Sequence, residues 1–185
     1  MRGLHRIVMA AAAMSLVALA PAQASAGDPE ALDAGVDRLD IEVAGHIAPR
    51  CGMGSIEDRH LGSIDGGGMS LQTELALDCN VPFALTFASA NGGLAHATMP
   101  LGQGPYAGRL AYQMQVDLPV RLPRQRTVSR AFSSDQMRAG AVVSSLNGIS
   151  DGPARIRMYF ETARGAGLLA GRYSETVTIT LAPRT

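Results

Sequence analysis

Apolar and polar residues alternate with a period of two along much of this chain, and this pattern most constrains its fold. It is clearest near the C-terminus, where Val177, Ile179 and Leu181 alternate with threonines. A period of two places alternate side chains on one face of a strand, so it predicts half-buried strands in antiparallel sheets. The pattern recurs in five further segments, 39–47, 71–79, 82–89, 109–118 and 154–162, and no sustained period of 3.6 residues accompanies it.

Glycine-rich turn sequences separate these predicted strands, as in 65–68, 91–93 and 101–105. Short strands joined by such turns are typical of a β-sandwich or barrel. We therefore predict one all-β domain over residues 39–185. Its predicted core combines the apolar faces of several strands, namely Leu75, Leu77, Phe83, Leu85, Phe87, Tyr112, Met114, Ile179 and Leu181.

The N-terminus has the pattern of a secretory signal peptide over residues 1–24. Two arginines precede a short apolar run, and Ala22-Gln23-Ala24 forms a small-residue cleavage site. The apolar run is short for a membrane span, and no later segment is long enough. We expect the mature protein to be exported, with a polar, loosely ordered segment over residues 25–38.

The chain has two cysteines, Cys51 and Cys79, and both lie in the part predicted to be exported. An even count outside the cytosol favours a disulfide, which contributes roughly 3–4 kcal/mol for a loop of this size. A zinc site is the alternative, but the paired Cys and His spacing that zinc requires is absent. We therefore predict a Cys51–Cys79 disulfide.

The charge balance provides no broad field for a nucleic acid or an anionic membrane. The sequence has 16 basic and 16 acidic residues, and removal of residues 1–24 leaves 14 and 16. The local basic run 121–130 contains Pro123, follows Pro119 closely and lacks interleaved aromatic residues, so we interpret it as an exposed loop.

No pattern in the sequence favours catalysis, a metal or a cofactor. The histidines lack ligand spacing, so we interpret His46, His60 and His96 as solvated side chains. A nucleophile elbow, a Cys–His cluster and paired carboxylates are also missing. We therefore predict no catalytic, metal-binding or cofactor-binding residue.

The order of the strand patterns resembles the spore coat protein U domain family, found among pilus subunits of the archaic chaperone–usher class. An alternating segment precedes Cys51, Leu61-Gly62 follows it, and a second alternating segment ends at Cys79. The family's tyrosine-containing strand and its terminal strand are matched at Leu110, Tyr112, Met114 and Asp117 and at Gly171, Tyr173, Ser174, Thr176 and Val177. The chain departs from the family in having no tryptophan and in having Glu175 where aspartate is usual.

This resemblance implies an immunoglobulin-like, pilin-type sandwich that lacks its last strand. A strand from a periplasmic chaperone, and later from a neighbouring subunit, completes such a sheet during assembly at an outer-membrane usher. The terminal strand, with Tyr173, Val177, Ile179 and Leu181, would then border the open groove.

Residues 39–47 have the pattern expected of the donated strand. Five positions on one face, each two apart, match successive pockets: Leu39, Ile41, Val43, Gly45 and Ile47. The same segment also fits an ordinary first strand of its own domain, and the sequence leaves both interpretations open.

The resulting hypothesis is a secreted structural subunit of a surface fibre or coat, without enzymatic activity. Its predicted path runs from the periplasm to the cell surface or a fimbrium. The alternative is a self-complete sandwich that acts as an adhesin, with a ligand site in the loops around 91–108.

Overall fold

A computed structural model describes residues 38–65, 68–163 and 165–184. The predicted signal peptide and residues 25–37 lie outside these ranges. The described chain is nearly all-β, with a single short 3₁₀ helix at Gln136–Ala139. In chain order its strands are β1 (Cys51–Met53), β2 (Ser70–Leu75), β3 (Leu77–Cys79), β4 (Phe83–Ser89), β5 (Leu94–His96), β6 (Arg109–Leu110), β7 (Tyr112–Leu122), β8 (Arg124–Ser133), β9 (Ala141–Ser144), β10 (Ile149–Ser150), β11 (Ala154–Phe160), β12 (Tyr173–Ser174) and β13 (Val177–Pro183).

The contacts divide the chain into two units, Met1–Ala44 and Gly45–Thr185. All of the strands above belong to the second unit. Among the described residues, no helix combines the length and apolar character needed to cross a membrane.

The largest sheet is antiparallel and is built around β7, which pairs with β8, β10 and β11. Strand β11 pairs in turn with β2. Strands β2, β8 and β10 each have one partner in this sheet, and β2 and β8 lie on the two outer sides of the β7–β11 pair.

A second antiparallel sheet has the order β13-β4-β9, so β13 and β9 are its edges. The C-terminal strand pairs with β4 from Val177↔Ser89 to Pro183↔Phe83. Two smaller antiparallel groups complete the fold, namely β1 with β3, and β12-β5-β6.

Side chains from both larger sheets meet in one hydrophobic cluster. Strands β7 and β11 contribute Met114, Val116 and Ile156, and β4 contributes Leu85 and Phe87. The prediction of an all-β fold is therefore confirmed, and the arrangement is consistent with a β-sandwich. Of the predicted core, six side chains are buried and three are half-buried, the latter being Leu77, Ile179 and Leu181.

The interpretation of residues 121–130 as a loop was wrong, because they belong to the β7–β8 hairpin. The prolines that suggested a loop occupy positions that tolerate them. Pro123 lies between the two strands. The carbonyl of Pro119 accepts a hydrogen bond from Asp151 N, so the missing N–H of Pro119 faces the interval between β10 and β11, where the ladder is interrupted.

Residues 39–47 form no strand, although their alternation predicts one. In the first unit, the side chains of Leu39, Ile41 and Val43 are 83%, 77% and 89% exposed. In the second unit, Ile47 is 82% exposed. Period-2 patterning indicates a strand only where a partner strand is present to pair with it, and this segment has none within the described chain.

Candidate functional site

The C-terminal strand β13 presents an open edge. Its side chains Val177, Ile179 and Leu181 point to the hydrophobic cluster but are only half-buried, whereas the intervening threonines are exposed. Four residues are predicted to lie at a groove edge, and these three of them lie on an edge strand, β13.

The backbone of the same three residues faces away from β4. Ala90 N donates to Thr176 O and Arg184 N donates to Pro82 O, which fixes the even-numbered residues of β13 as those bonded to β4. Since N–H and C=O of one residue point to the same side in an antiparallel strand, the odd-numbered residues direct theirs outward. Within the described chain these outward groups have no hydrogen-bond partner.

An apolar groove of about 240 Å³ separates the edge strands β13 and β2. Its volume is below the roughly 300 Å³ at which small-molecule pockets begin. Core side chains from β5, β7 and β11 form the bottom of the groove, and the edge strands β2 and β13 form its two sides. The apolar residues that line it include Leu71, Leu94, Met114, Ile156, Met158, Phe160, Val177 and Ile179.

The segment 56–61 lies against this groove. Ile56 and Leu61 pack on the hydrophobic cluster, and Glu57, Asp58 and Arg59 also line the cavity. This segment forms no strand and makes no backbone hydrogen bond to either groove edge. It therefore covers apolar surface without satisfying the backbone groups of β13.

Tyr173 was predicted on the groove-edge strand, and this prediction was wrong. It lies in β12, where it pairs with His96 of β5. Its hydroxyl oxygen is 2.7 Å from Leu169 O and 3.1 Å from Ala107 O, so it anchors the loop that precedes it. The chain passes from the β12 sheet to the β13 sheet at Glu175, which is why β13 begins only at Val177.

Glu175 fixes this transition through its carboxylate. It accepts hydrogen bonds from the backbone N–H groups of Ala90, Asn91 and Gly93, at 3.1, 3.2 and 2.9 Å, and from the Ser89 hydroxyl at 2.9 Å. The turn after β4 and the start of β13 are thereby held together. From the sequence, Glu175 was identified only as a departure from a family pattern. Its structural role was not predicted, because contacts between residues far apart in the chain leave no local pattern in the sequence.

The three histidines differ in their surroundings. His46 and His60 are exposed, as predicted. The interpretation of His96 as solvated was wrong, because it is buried and its ring packs edge-to-face on Tyr173. Its Nδ1 accepts N–H bonds from Thr98 and Met99, and its Nε2 lies 3.1 Å from Ala170 O. Both ring nitrogens are thus used in the structure of the loop.

The predicted disulfide joins Cys51 to Cys79 and ties β1 to β3. Next to it, the Asn80 side chain binds the backbone on both sides of Pro49, accepting from Arg50 N at 2.7 Å and donating to Ala48 O at 3.0 Å. Residues 48–50 are therefore anchored, whereas residue 47 makes no such contact. These bonds fix the point at which the exposed segment joins the domain.

The open edges differ in charge. Strand β8 carries Arg124, Arg126 and Arg130, whereas β13 carries no charged residue from Val177 to Pro183. Natural sheets protect exposed edges with charged side chains that discourage pairing with another chain. By this criterion β8 is a protected edge and β13 is not.

A second cavity, of about 590 Å³, lies among the loops around β5 and β6. Its lining includes Asn91, Pro100, Leu101, Arg109 and Arg138. Leu101 is 99% exposed at the tip of one of these loops. The cavity therefore lies at the loops around 91–108, where the adhesin alternative predicts a ligand site.

Searches with protein-family models and against curated proteins find no match to this chain. In the described ranges there is also no group of three or more His, Cys, Asp or Glu side chains arranged to hold a metal ion.

Proposed function

We propose that the chain is a structural subunit of a surface fibre or coat and that it assembles by accepting a strand from another molecule. The observation that carries this proposal is the unpaired β13 edge of the groove between β2 and β13, with three outward backbone positions at Val177, Ile179 and Leu181. A strand placed there would bond these N–H and C=O groups and bury the apolar floor.

The chain also contains a segment suited to fill such a groove. Residues 39–47 carry Leu, Ile, Val, Gly and Ile at alternate positions, and their large apolar side chains are exposed. Burying one such side chain contributes about 1.5–3 kcal/mol. We propose that this segment pairs with β13 of a neighbouring subunit, as the donated strand does in the spore coat protein U and pilin families that the sequence resembles.

The same resemblance supplies the proposed partners. A periplasmic chaperone would protect the groove before assembly, and an outer-membrane usher would bring subunits together. We further propose an immunoglobulin-like, pilin-type sandwich, an exported protein and a role without catalysis.

A synthetic peptide of residues 37–49 tests this proposal. Oxidised protein of residues 25–185 is heated with increasing peptide, and its size is measured by chromatography. At a peptide concentration of a hundred times Kd, binding stabilises the fold by about 2.7 kcal/mol and raises Tm by about 8 °C. An unchanged Tm, with a protein that stays monomeric, would contradict strand acceptance.

The matched control is a peptide of the same composition in which Ile41 exchanges places with Glu42, and Val43 with Ala44. This exchange moves two large side chains to the other face of the strand, so it abolishes their fit to one groove. We expect less than a third of the Tm rise obtained with the natural order. Equal effects of the two peptides would indicate nonspecific apolar binding.

A self-complete adhesin is the second candidate, and the cavity near Leu101 favours it. Arg138 lines this cavity, and its side chain has no acidic partner in the described structure. This candidate predicts binding on a glycan array that is lost in Arg138→Ala, together with a monomer indifferent to the 37–49 peptide. Array binding without peptide binding would therefore select it.

A further inference from the structure

The basic run that the sequence suggested to be a loop forms the protected edge of the largest sheet. Between Asp117 and Asp135 the chain has four arginines and no acidic residue. Arg121 is paired with Asp151 at 2.8 Å, which leaves Arg124, Arg126 and Arg130, all on β8. We refer to these three as the β8 arginine row.

The hairpin register places the row on one face of the sheet. Arg126 is opposite Val120 and Arg130 is opposite Val116, and both valines are fully buried. Cross-strand partners share a face, so the row lies on the inward face of β8, yet its side chains are exposed. Arg124 and Arg126 are two positions apart, about 6.6–6.8 Å along the strand, and Arg130 lies four positions beyond Arg126, about 13 Å away, with the buried Val128 between them. The row is therefore a linear but unevenly spaced array of positive charge.

No acidic group neutralises this array within the described structure. Arg124 and Arg126 make no ion pair or side-chain hydrogen bond, and Arg130 contacts only the carbonyl of the adjacent Ser129, at 3.4 Å. Some other exposed arginines are paired, since Arg50 is bonded to Asp78 and Arg155 lies 3.7 Å from Glu74, but β8 is the strand that carries three without an acidic partner in the described structure. Because the sequence as a whole has no net charge, the positive potential is local to this edge.

Edge protection alone does not account for the common sign of the charges. Charged side chains of either sign can guard an edge, and mixed signs avoid the repulsion between neighbours on the same face. That repulsion is about 0.6 kcal/mol for charges 7 Å apart in water. A uniformly positive row is therefore a feature that protection does not require.

We propose that the β8 arginine row binds an anionic polysaccharide through its carboxylate or sulfate groups. Guanidinium groups pair with such oxyanions in bidentate fashion, and a linear row fits an extended, repeatedly charged chain. The row contains no exposed aromatic side chain on which a base could stack, so the chemistry favours a glycan over a single-stranded nucleic acid. This inference does not depend on strand donation, because β8 is remote in the sheet order from β2 and belongs to a different sheet from β13.

The test measures binding of the full chain to polygalacturonate at 20 mM salt, with neutral dextran as the blank. We expect binding that weakens as salt rises, since counterions are released on association. The variant Arg124→Gln/Arg126→Gln/Arg130→Gln should lose at least tenfold in affinity and show a shallower salt dependence. Replacement of the same three arginines by lysine, which keeps the charges, should retain most of the binding.

The charge-matched control is Arg38→Gln/Arg50→Gln/Arg155→Gln. These arginines are exposed and lie next to Asp40, Asp78 and Glu74, so this variant should stay within twofold of the wild type. Equal losses in both glutamine triples would overturn the proposal in favour of net charge alone. Absence of wild-type binding, or at least tenfold tighter binding of a single-stranded oligonucleotide than of polygalacturonate, would also overturn it.

Discussion

The carboxylate of Glu175 accepts a hydrogen bond from the backbone N–H of Gly93, 2.9 Å away, although 82 positions separate the two residues in the chain. Gly93 has a φ of +147°, and a Cβ there would lie 2.6 Å from Leu110 O. The turn therefore needs both a glycine and an external acceptor for its N–H groups. Glu175 provides that acceptor at the residue where the chain enters β13, so the open edge starts from a fixed point.

Removal of this carboxylate should destabilise the fold. We expect Glu175→Ala to lower the free energy of unfolding by about 2–3 kcal/mol, because the part-buried N–H of Gly93 and hydroxyl of Ser89 lose a charged acceptor. Urea unfolding measures the change. The control Glu74→Ala removes an exposed carboxylate and should cost less than about 0.5 kcal/mol. Similar losses in both variants would show that the Glu175 contacts are not specific.

Asp117 should make the stability depend on acid. Burial opposes its charge, but hydrogen bonds from Ser129, Gln115 and Arg157 outweigh that effect, so its pKa is lowered from the ordinary value of 3.8. A lowered folded-state pKa contributes stability above about pH 4 that is lost as pH falls further.

The variant Asp117→Asn should therefore be less stable at pH 7 by about 1–3 kcal/mol, since Arg157 loses its partner. Its stability should also fall less steeply than that of the wild type between pH 4 and pH 2, a window set by the unfolded-state pKa. Urea midpoints across this range measure both effects. Parallel curves for the two proteins would contradict the assignment.

Tyr112 should limit the stability in alkali. Burial raises the pKa of its hydroxyl to about 12; the nearby Ser89 hydroxyl partly offsets this rise, and the negative charge of Glu175 adds to it. A raised pKa means that the stabilising contribution is complete below about pH 10 and is lost as pH rises from 10 towards 12. The chain has no lysine, so few other groups titrate in this window.

We expect Tyr112→Phe to be at least as stable as the wild type at pH 7, because the buried hydroxyl has no hydrogen-bond partner within the described chain. It should also lose less stability between pH 10 and pH 12, by about 2–3 kcal/mol. The control Tyr159→Phe alters a tyrosine that is 44% exposed and should leave the alkaline loss unchanged. Thermal melts at each pH give the comparison, and equal alkaline losses in all three proteins would refute it.

The disulfide should contribute about 3–4 kcal/mol, as expected for a sequence separation of 28 residues. The double variant Cys51→Ala/Cys79→Ala removes the bridge without burying a hydroxyl. Its urea midpoint should match that of the reduced wild type, and its yield from the periplasm should fall sharply. A loss below about 1 kcal/mol would show that the β1–β3 pairing is stable without the bridge.

Local alternation was sufficient to predict β4, β7, β11 and β13, because each buries one face on the core. It failed for β8, because Arg124, Arg126 and Arg130 occupy the face that would have to be apolar for the alternation to be recognised. It also predicted a strand over 39–47, where the apolar face has no partner in the described chain. The alternation of apolar and polar residues indicates which face of a segment can be buried. Whether the segment forms a strand also depends on a neighbouring strand to pair with.

The candidate site was predictable in part. Val177, Ile179 and Leu181 were placed at an edge, and the Cys51–Cys79 bridge followed from the cysteine count. The positions of Tyr173 and His96 were not predictable, because both depend on contacts between a short β12–β5 pair and the loops around it. Such contacts join residues about 77 positions apart and leave no periodic signal.

Hydrogen exchange along β13 tests strand acceptance most directly. In the free protein, the amides of Thr178, Thr180 and Ala182 should be protected by pairing with β4, and those of Val177, Ile179 and Leu181 should exchange rapidly. With saturating 37–49 peptide, we expect exchange of the three odd-numbered amides to slow by at least a hundredfold, while the control peptide leaves it fast. Unchanged exchange of these three amides with bound peptide would contradict strand acceptance at β13.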